Sequence, residues 1–236
     1  MSSNSKDALD LYAKVEDLLG VKEVAPKLYS YYFDILDKKE FNSLLDIGCG
    51  SGDFLIELKK RYPNKLLDGI DKSPLMVDTA KKKALNAYNL DIKDLNKSYD
   101  IATAVFDMVN YLTPQEFIDF FKDLHKIIND GGFFIFDVNS EFGLSELAVG
   151  NFIAEDSNRF LAIESFYEAG VYESFFTLFE KEAKNCYKKE KQIIKQYHYS
   201  EDFFRLLGGW ELDSMLPIKL YDMENYDKII YVLKKI

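Results

Sequence analysis

Through the first forty positions apolar residues recur at helical spacing. Leu9, Leu11, Tyr12, Val15, Leu18 and Leu19 mark one helix that Gly20 can stop. A second helix is predicted to start around Pro26 and to run through Leu28, Tyr32, Ile35 and Leu36. The period then shortens. Four apolar runs, at 43–47, 65–70, 84–90 and 100–106, are separated by helical segments or connectors, and a fifth at 133–138 follows the turn signal Asn129-Asp130-Gly131-Gly132. Helical patterns at 54–61, 74–83 and 115–128 lie between the runs. Strands alternating with helices predict βαβ units and a parallel sheet covered on both faces. The right-handed crossover rule makes that sheet doubly wound, with its ligand crevice outside the carboxyl ends of the strands.

After Ser140 the rhythm changes. The β-rich runs 159–167, 171–179 and 186–199 follow one another without helical spacers, which predicts an inserted antiparallel meander. A helix at 200–207, stopped by Gly208-Gly209, then leads to strands near 210–216 and 227–233. The expected organisation is a single domain over 1–236. It comprises N-terminal helices (1–40), a ligand-binding core (41–139), a β-rich insertion serving as a lid or a dimer surface (140–200), and a C-terminal helix with edge strands (201–236). Much of the aromatic content, 19 Phe and 16 Tyr in all, falls at 152–204. It reads first as core and interface, and secondly as a cage for a ligand.

Charge narrows the choice of partner. A formal net charge of −10 argues against nucleic acid, since a phosphate-neutralising surface needs clustered cations. The basic stretches, Lys81-Lys82-Lys83 and 181–195, read as solvated surface. Cys49 and Cys186 are far apart and no Cys or His flanks His125 or His198, so neither a disulfide framework nor a metal site is expected. No run approaches the roughly 20 apolar residues that span a bilayer, and the first residues carry no leader pattern. A cytoplasmic protein, monomeric or homodimeric, is the expectation.

The chemistry concentrates at Leu44-Leu45-Asp46-Ile47-Gly48-Cys49-Gly50-Ser51-Gly52-Asp53-Phe54, a buried strand, an acid, a glycine loop and a helix start. Asp53 stands where the dinucleotide fingerprint wants its third glycine. The spacing instead resembles motif I of the class I S-adenosylmethionine-dependent methyltransferases. Segments in the right order extend the resemblance. Asp71, in Leu67-Asp68-Gly69-Ile70-Asp71-Lys72-Ser73-Pro74, matches the family's ribose-binding carboxylate, although it also sits near a helix start that Ser73 is better placed to cap. Asp91-Ile92 resemble the acid-plus-apolar pair for adenine, with Asp94 as a competitor. Val105-Phe106-Asp107-Met108-Val109-Asn110-Tyr111-Leu112 resembles the loop flanking the transferred methyl. The resemblance implies a seven-stranded, mostly parallel Rossmann-like sheet of order 3-2-1-4-5-7-6 and an antiparallel β-rich lid over the acceptor. It also implies S-adenosylmethionine contacts from Asp46, Gly48, Cys49, Gly50, Gly52, Asp71, Lys72, Met76, Asp91, Ile92 and Phe106.

The pattern lies nearest the small-molecule branch that methylates glycine, sarcosine and nucleotide-sugar amines. The loop after the fourth strand lacks the Asn/Asp-Pro-Pro-aromatic signature of enzymes acting on nucleobase or glutamine amino groups. A small-molecule acceptor, an amine, is therefore expected, methylated by in-line displacement. No residue stands out as a general base; Asp107, Asn110 and Tyr111 are the candidates. The competing readings are a non-catalytic S-adenosylmethionine-binding module and an NAD-dependent oxidoreductase. The second lacks both its third glycine and a recognisable catalytic constellation.

Overall fold

The computed structural model describes residues 6–184 and 186–236. Two helices open the chain, α1 (Lys6–Val15) and α2 (Val21–Leu36), joined by a 3-10 turn at Glu16–Leu18. α2 starts five residues earlier than Pro26 suggested, because Gly20 adopts a left-handed conformation that turns the chain into it. Pro26 sits inside α2, early enough that most of the helix's hydrogen bonds lie beyond it.

The core then alternates: β1 (Ser43–Ile47), α3 (Asp53–Arg61), β2 (Leu66–Ile70), α4 (Pro74–Lys82), β3 (Ala87–Tyr88), β4 (Tyr99–Ala104), α5 (Pro114–Ile127) and β5 (Ile128–Asn139). Local chemistry sets the helix starts. Ser73 caps α4 ahead of Pro74, while Thr113 and Glu116 form a reciprocal capping box ahead of α5. The 84–90 run shrinks to a two-residue edge strand. The predicted turn at 129–132 lies within β5 as a bulge: Tyr99 pairs with Ile128 and Ile101 with Phe133, so β5 carries three extra residues there.

The remaining strands are β6 (Gly150–Glu155), β7 (Arg159–Glu168), β8 (Val171–Ala183), β9 (Cys186–Tyr197), β10 (Trp210–Ile218) and β11 (Lys228–Lys235), with α6 (Glu201–Arg205) before β10. One sheet has the order β10-β11-β5-β4-β1-β2-β3, parallel except where β11 pairs with β5 and β10. This is the seven-stranded, doubly wound order expected. The second sheet is the antiparallel meander β6-β7-β8-β9, whose first strand sequence reading missed.

Two apolar clusters flank the large sheet, one built on α2 and α3, the other on α5 and the aromatic group Phe117, Phe121, Phe134 and Phe136. A third cluster positions the site. Ala8, Leu11 and Val15 of α1 pack on Leu161, Ile163, Phe176, Leu178 and Ile194 of the second sheet. Burial of a leucine-sized side chain contributes about 1.5–3 kcal/mol, so this seam fixes α1 on the sheet. Lys14 to Glu190 (2.9 Å) and Arg159 to Asp17 (2.6 Å) close its edges.

Candidate active site

A cavity of about 1030 Å³ opens at the carboxyl ends of β1, β2 and β4, where a doubly wound sheet places its ligand crevice. One wall is the glycine loop. Gly48 and Cys49 both donate backbone hydrogen bonds to Ile70 O, at 2.8 and 3.0 Å, which seats the loop on the end of β2. Gly50 has a φ of +52°, and a Cβ built there would meet nothing within 4 Å, so bare backbone faces open space. Its amide donates to Asp71 Oδ2 (2.9 Å), while Ser73 N donates to Asp71 Oδ1 (2.8 Å). The Asp71 carboxylate is thus held rigidly at the end of β2. Burial raises its pKa, and these two amides oppose the rise.

Asp46, at 2% exposure, accepts a hydrogen bond from Thr103 Oγ1 (2.8 Å) across the β1–β4 pair. Burial pushes its pKa up to about 7; the Thr103 hydrogen bond lowers it and the nearby Asp71 charge adds to the rise. Burial also raises the Asp91 carboxyl, but the hydrogen bond and charge of Lys72 (3.0 Å) prevail and hold it below the ordinary range. The backbone amide of Lys93 also donates to Asp91. Lys72, Met76 and Ile92 complete this end of the wall.

Ten of the eleven expected cofactor-contact positions line this one cavity: Asp46, Gly48, Cys49, Gly50, Asp71, Lys72, Met76, Asp91, Ile92 and Phe106. Gly52 does not. A Cβ there would lie 2.4 Å from Leu85 Cδ1 and 3.1 Å from Ala80 Cβ, so this glycine, with φ +82°, lets the start of α3 approach α4. Of the three catalytic candidates, only Tyr111 reaches the cavity. Asn110 is a structural clamp, accepting from Asn139 N (2.9 Å) and donating to Tyr197 O (2.8 Å). Asp107 points into a buried ion cluster with Lys228 (2.5 Å).

The opposite wall is one that sequence reading missed. It comes from the N-terminal helices: Leu9, Asp10 and Tyr12 of α1, Glu16, and Val21, Lys22, Ala25, Tyr29 and Phe33 of α2. Among the described residues none from 140–200 lines the cavity, and the 152–204 aromatics form no cage there. The second sheet acts at one remove, by seating α1. The signal was present: the amphipathic pattern of 9–19 requires a partner surface, but spacing alone could not show that its other face would roof a ligand site.

The wall's residues fit S-adenosylmethionine as a group: open backbone at Gly50, buried carboxylates suited to a cation, and an acid at the end of β2 suited to ribose hydroxyls. Fold and site together define an α/β protein built to hold a cationic nucleoside. Residues 44–132 match the methyltransferase-domain family model. The chain is 30% identical over 224 residues to the malonyl-[acyl-carrier protein] O-methyltransferase of Acetivibrio thermocellus, an alignment covering 91% of this chain and 67% of that protein. It is 32% identical over 137 residues to malonyl-[acyl-carrier protein] O-methyltransferase 1 of Ilyobacter polytropus, covering 55% of this chain and 47% of the relative, so it spans about half that protein's length. Among solved structures, an S-adenosylmethionine-dependent methyltransferase from Clostridium acetobutylicum superposes with a TM-score of 0.77 at 21% identity, covering 95% of this chain and 99% of that one. The chain belongs to the class I S-adenosylmethionine-dependent methyltransferases.

Proposed function

We propose that this enzyme transfers a methyl group to a small amine held between the glycine loop and the N-terminal helices. The observation that carries the reading is the charge of the cavity wall. Eight carboxylic acids line it, Asp10, Glu16, Asp46, Asp53, Glu57, Asp71, Asp91 and Glu116, against two cations, Lys22 and Lys72. Such a wall favours positive charge on whatever binds and repels an anionic acceptor. Three of the acids, Asp53, Glu57 and Asp91, are compensated by Lys83, Lys60 and Lys72, and the remaining five, against Lys22, keep the sign.

S-adenosylmethionine, when bound, supplies an electrophilic methyl on a cationic sulfur. We assign Asp46 to its ammonium end, Asp71 to the ribose, and Asp91 with Ile92 to the adenine, with Gly48, Cys49 and Gly50 giving backbone approach and Lys72, Met76 and Phe106 closing the walls. Tyr12, Tyr29 and Tyr111 shape the remaining space, where burial holds each phenol well above its ordinary pKa and therefore neutral. The protein's contribution is to bind the two reactants in line and to exclude water. An acceptor drawn in as its ammonium ion must first give up a proton to solvent; the neutral amine then attacks the methyl with no further base, and the methylated product leaves as an ammonium ion beside the neutral thioether.

The test is label transfer from methyl-labelled S-adenosylmethionine across amines, hydroxyl compounds and carboxylates, malonyl thioesters included. Labelled amine products are expected. Transfer to a carboxylate with none to any amine would overturn the assignment and favour the chemistry named for the Acetivibrio relative.

A further inference from the structure

The turn after β4 carries two consecutive non-glycine residues in the left-handed region, Phe106 at φ +61° and Asp107 at φ +52°. Such conformations are strained for residues with a Cβ and persist only where surroundings over-determine them. Phe106 lines the cavity on one side of this turn and Met108 on the other.

What holds the turn lies behind it. Asp137, fully buried at the end of β5, accepts from Phe106 N at Oδ1 (2.8 Å) and from Asp107 N at Oδ2 (2.9 Å). The Tyr32 hydroxyl of α2 donates to Asp137 Oδ1 (2.7 Å). Lys228, 2% exposed at the start of β11, bridges Asp107 Oδ1 (2.5 Å) and Asp137 Oδ2 (3.0 Å). Gln196 of β9 donates to the other Asp107 oxygen and accepts from Asn139 Nδ2 (3.1 Å). Burial pulls the Lys228 ammonium's pKa down, but the two carboxylates outweigh it and keep it charged.

An ion cluster this deep is costly to bury, and apolar residues of similar size commonly stabilise a fold as well or better. Its geometry serves another end, because both carboxylates and both strained amides converge on one turn. We propose that Asp137 and Lys228 are positioning residues for methyl transfer, fixing the Phe106–Asp107 turn against the reactants, and that Gln196 ties this turn to the second sheet. The assignment rests on the reading that this turn flanks the transferred methyl.

Two variants test it, Asp137→Asn and Lys228→Met. Asp137→Asn keeps the shape but replaces one acceptor with a donor facing the Phe106 and Asp107 amides. The first readout needs no acceptor substrate: amide hydrogen exchange across 106–111 is expected to accelerate at least tenfold, with β1 and β4 unchanged. S-adenosylhomocysteine affinity by calorimetry should change less than threefold. With the best amine found by label transfer, kcat should fall at least tenfold while its KM stays within threefold. Unchanged exchange at 106–111 in both variants would overturn the proposal, whether or not an amine acceptor has been found. So would accelerated exchange with kcat unchanged, or exchange that accelerates equally throughout the chain.

Discussion

On the proposed assignment of Asp46 to the ligand's ammonium end, its buried carboxyl makes the site respond to pH. Its folded-state pKa is raised to about 7, so between its unfolded value and 7 the folded protein binds the proton more tightly than the unfolded chain does. The unliganded protein therefore loses stability as pH rises through that window. A cationic ligand has the opposite preference, because it needs the ionised carboxylate. S-adenosylmethionine affinity is expected to fall about tenfold from pH 8 to pH 6, as one unit below the pKa leaves about a tenth of the carboxyl ionised. Calorimetry at the two pH values checks this, and Asp46→Asn should flatten the profile; a flat wild-type profile would contradict it. Asp46, Asp71 and Asp91 could be brought to one cavity from the sequence because each lies near the carboxyl end of a predicted strand and matches a motif of the resembled family. Asp137 and Lys228 could not. They are 91 residues apart, and only the antiparallel pairing of β11 with β5 brings them together.

At the scale of elements, the glycine loop divides its labour. Gly50 faces the cavity, whereas Gly52 serves the packing of α3 on α4. Gly52→Ala combines a positive φ with a Cβ only 2.4 Å from Leu85 Cδ1. It is expected to destabilise the fold by about 1–3 kcal/mol, measured as a lowered midpoint in urea unfolding. An unchanged midpoint would show that the packing assignment is wrong. Sequence period revealed most elements, and the cap at Ser73 fixed one helix start closely. It failed where tertiary pairing sets the limits. β3 stops after two residues because it pairs only through Gly69–Ala87 and Ile70–Tyr88, and β6 exists because β7 gives it a partner edge. The β-rich segment was expected to serve as a lid or a dimer surface; its apolar face carries Leu11 and Val15 of α1, and α1 lines the cavity.

Across the whole molecule, strand order and crevice follow from alternation and handedness, so the architecture was legible from the run of apolar segments. The negative charge of the chain, −10 overall, continues into the cavity, where it suits a cationic ligand and supports the proposed amine acceptor. The second sheet, α1 and the buried ion cluster then form a support that reaches the site from behind and above. The central claim is that this cavity holds S-adenosylmethionine through the loop after β1 and the acid after β2. Calorimetric titration of S-adenosylhomocysteine into the wild type and Asp71→Ala tests it most directly. One site in the micromolar range is predicted, weakened at least tenfold by Asp71→Ala. Absence of binding to the wild type, or equal affinity in the two proteins, would contradict it.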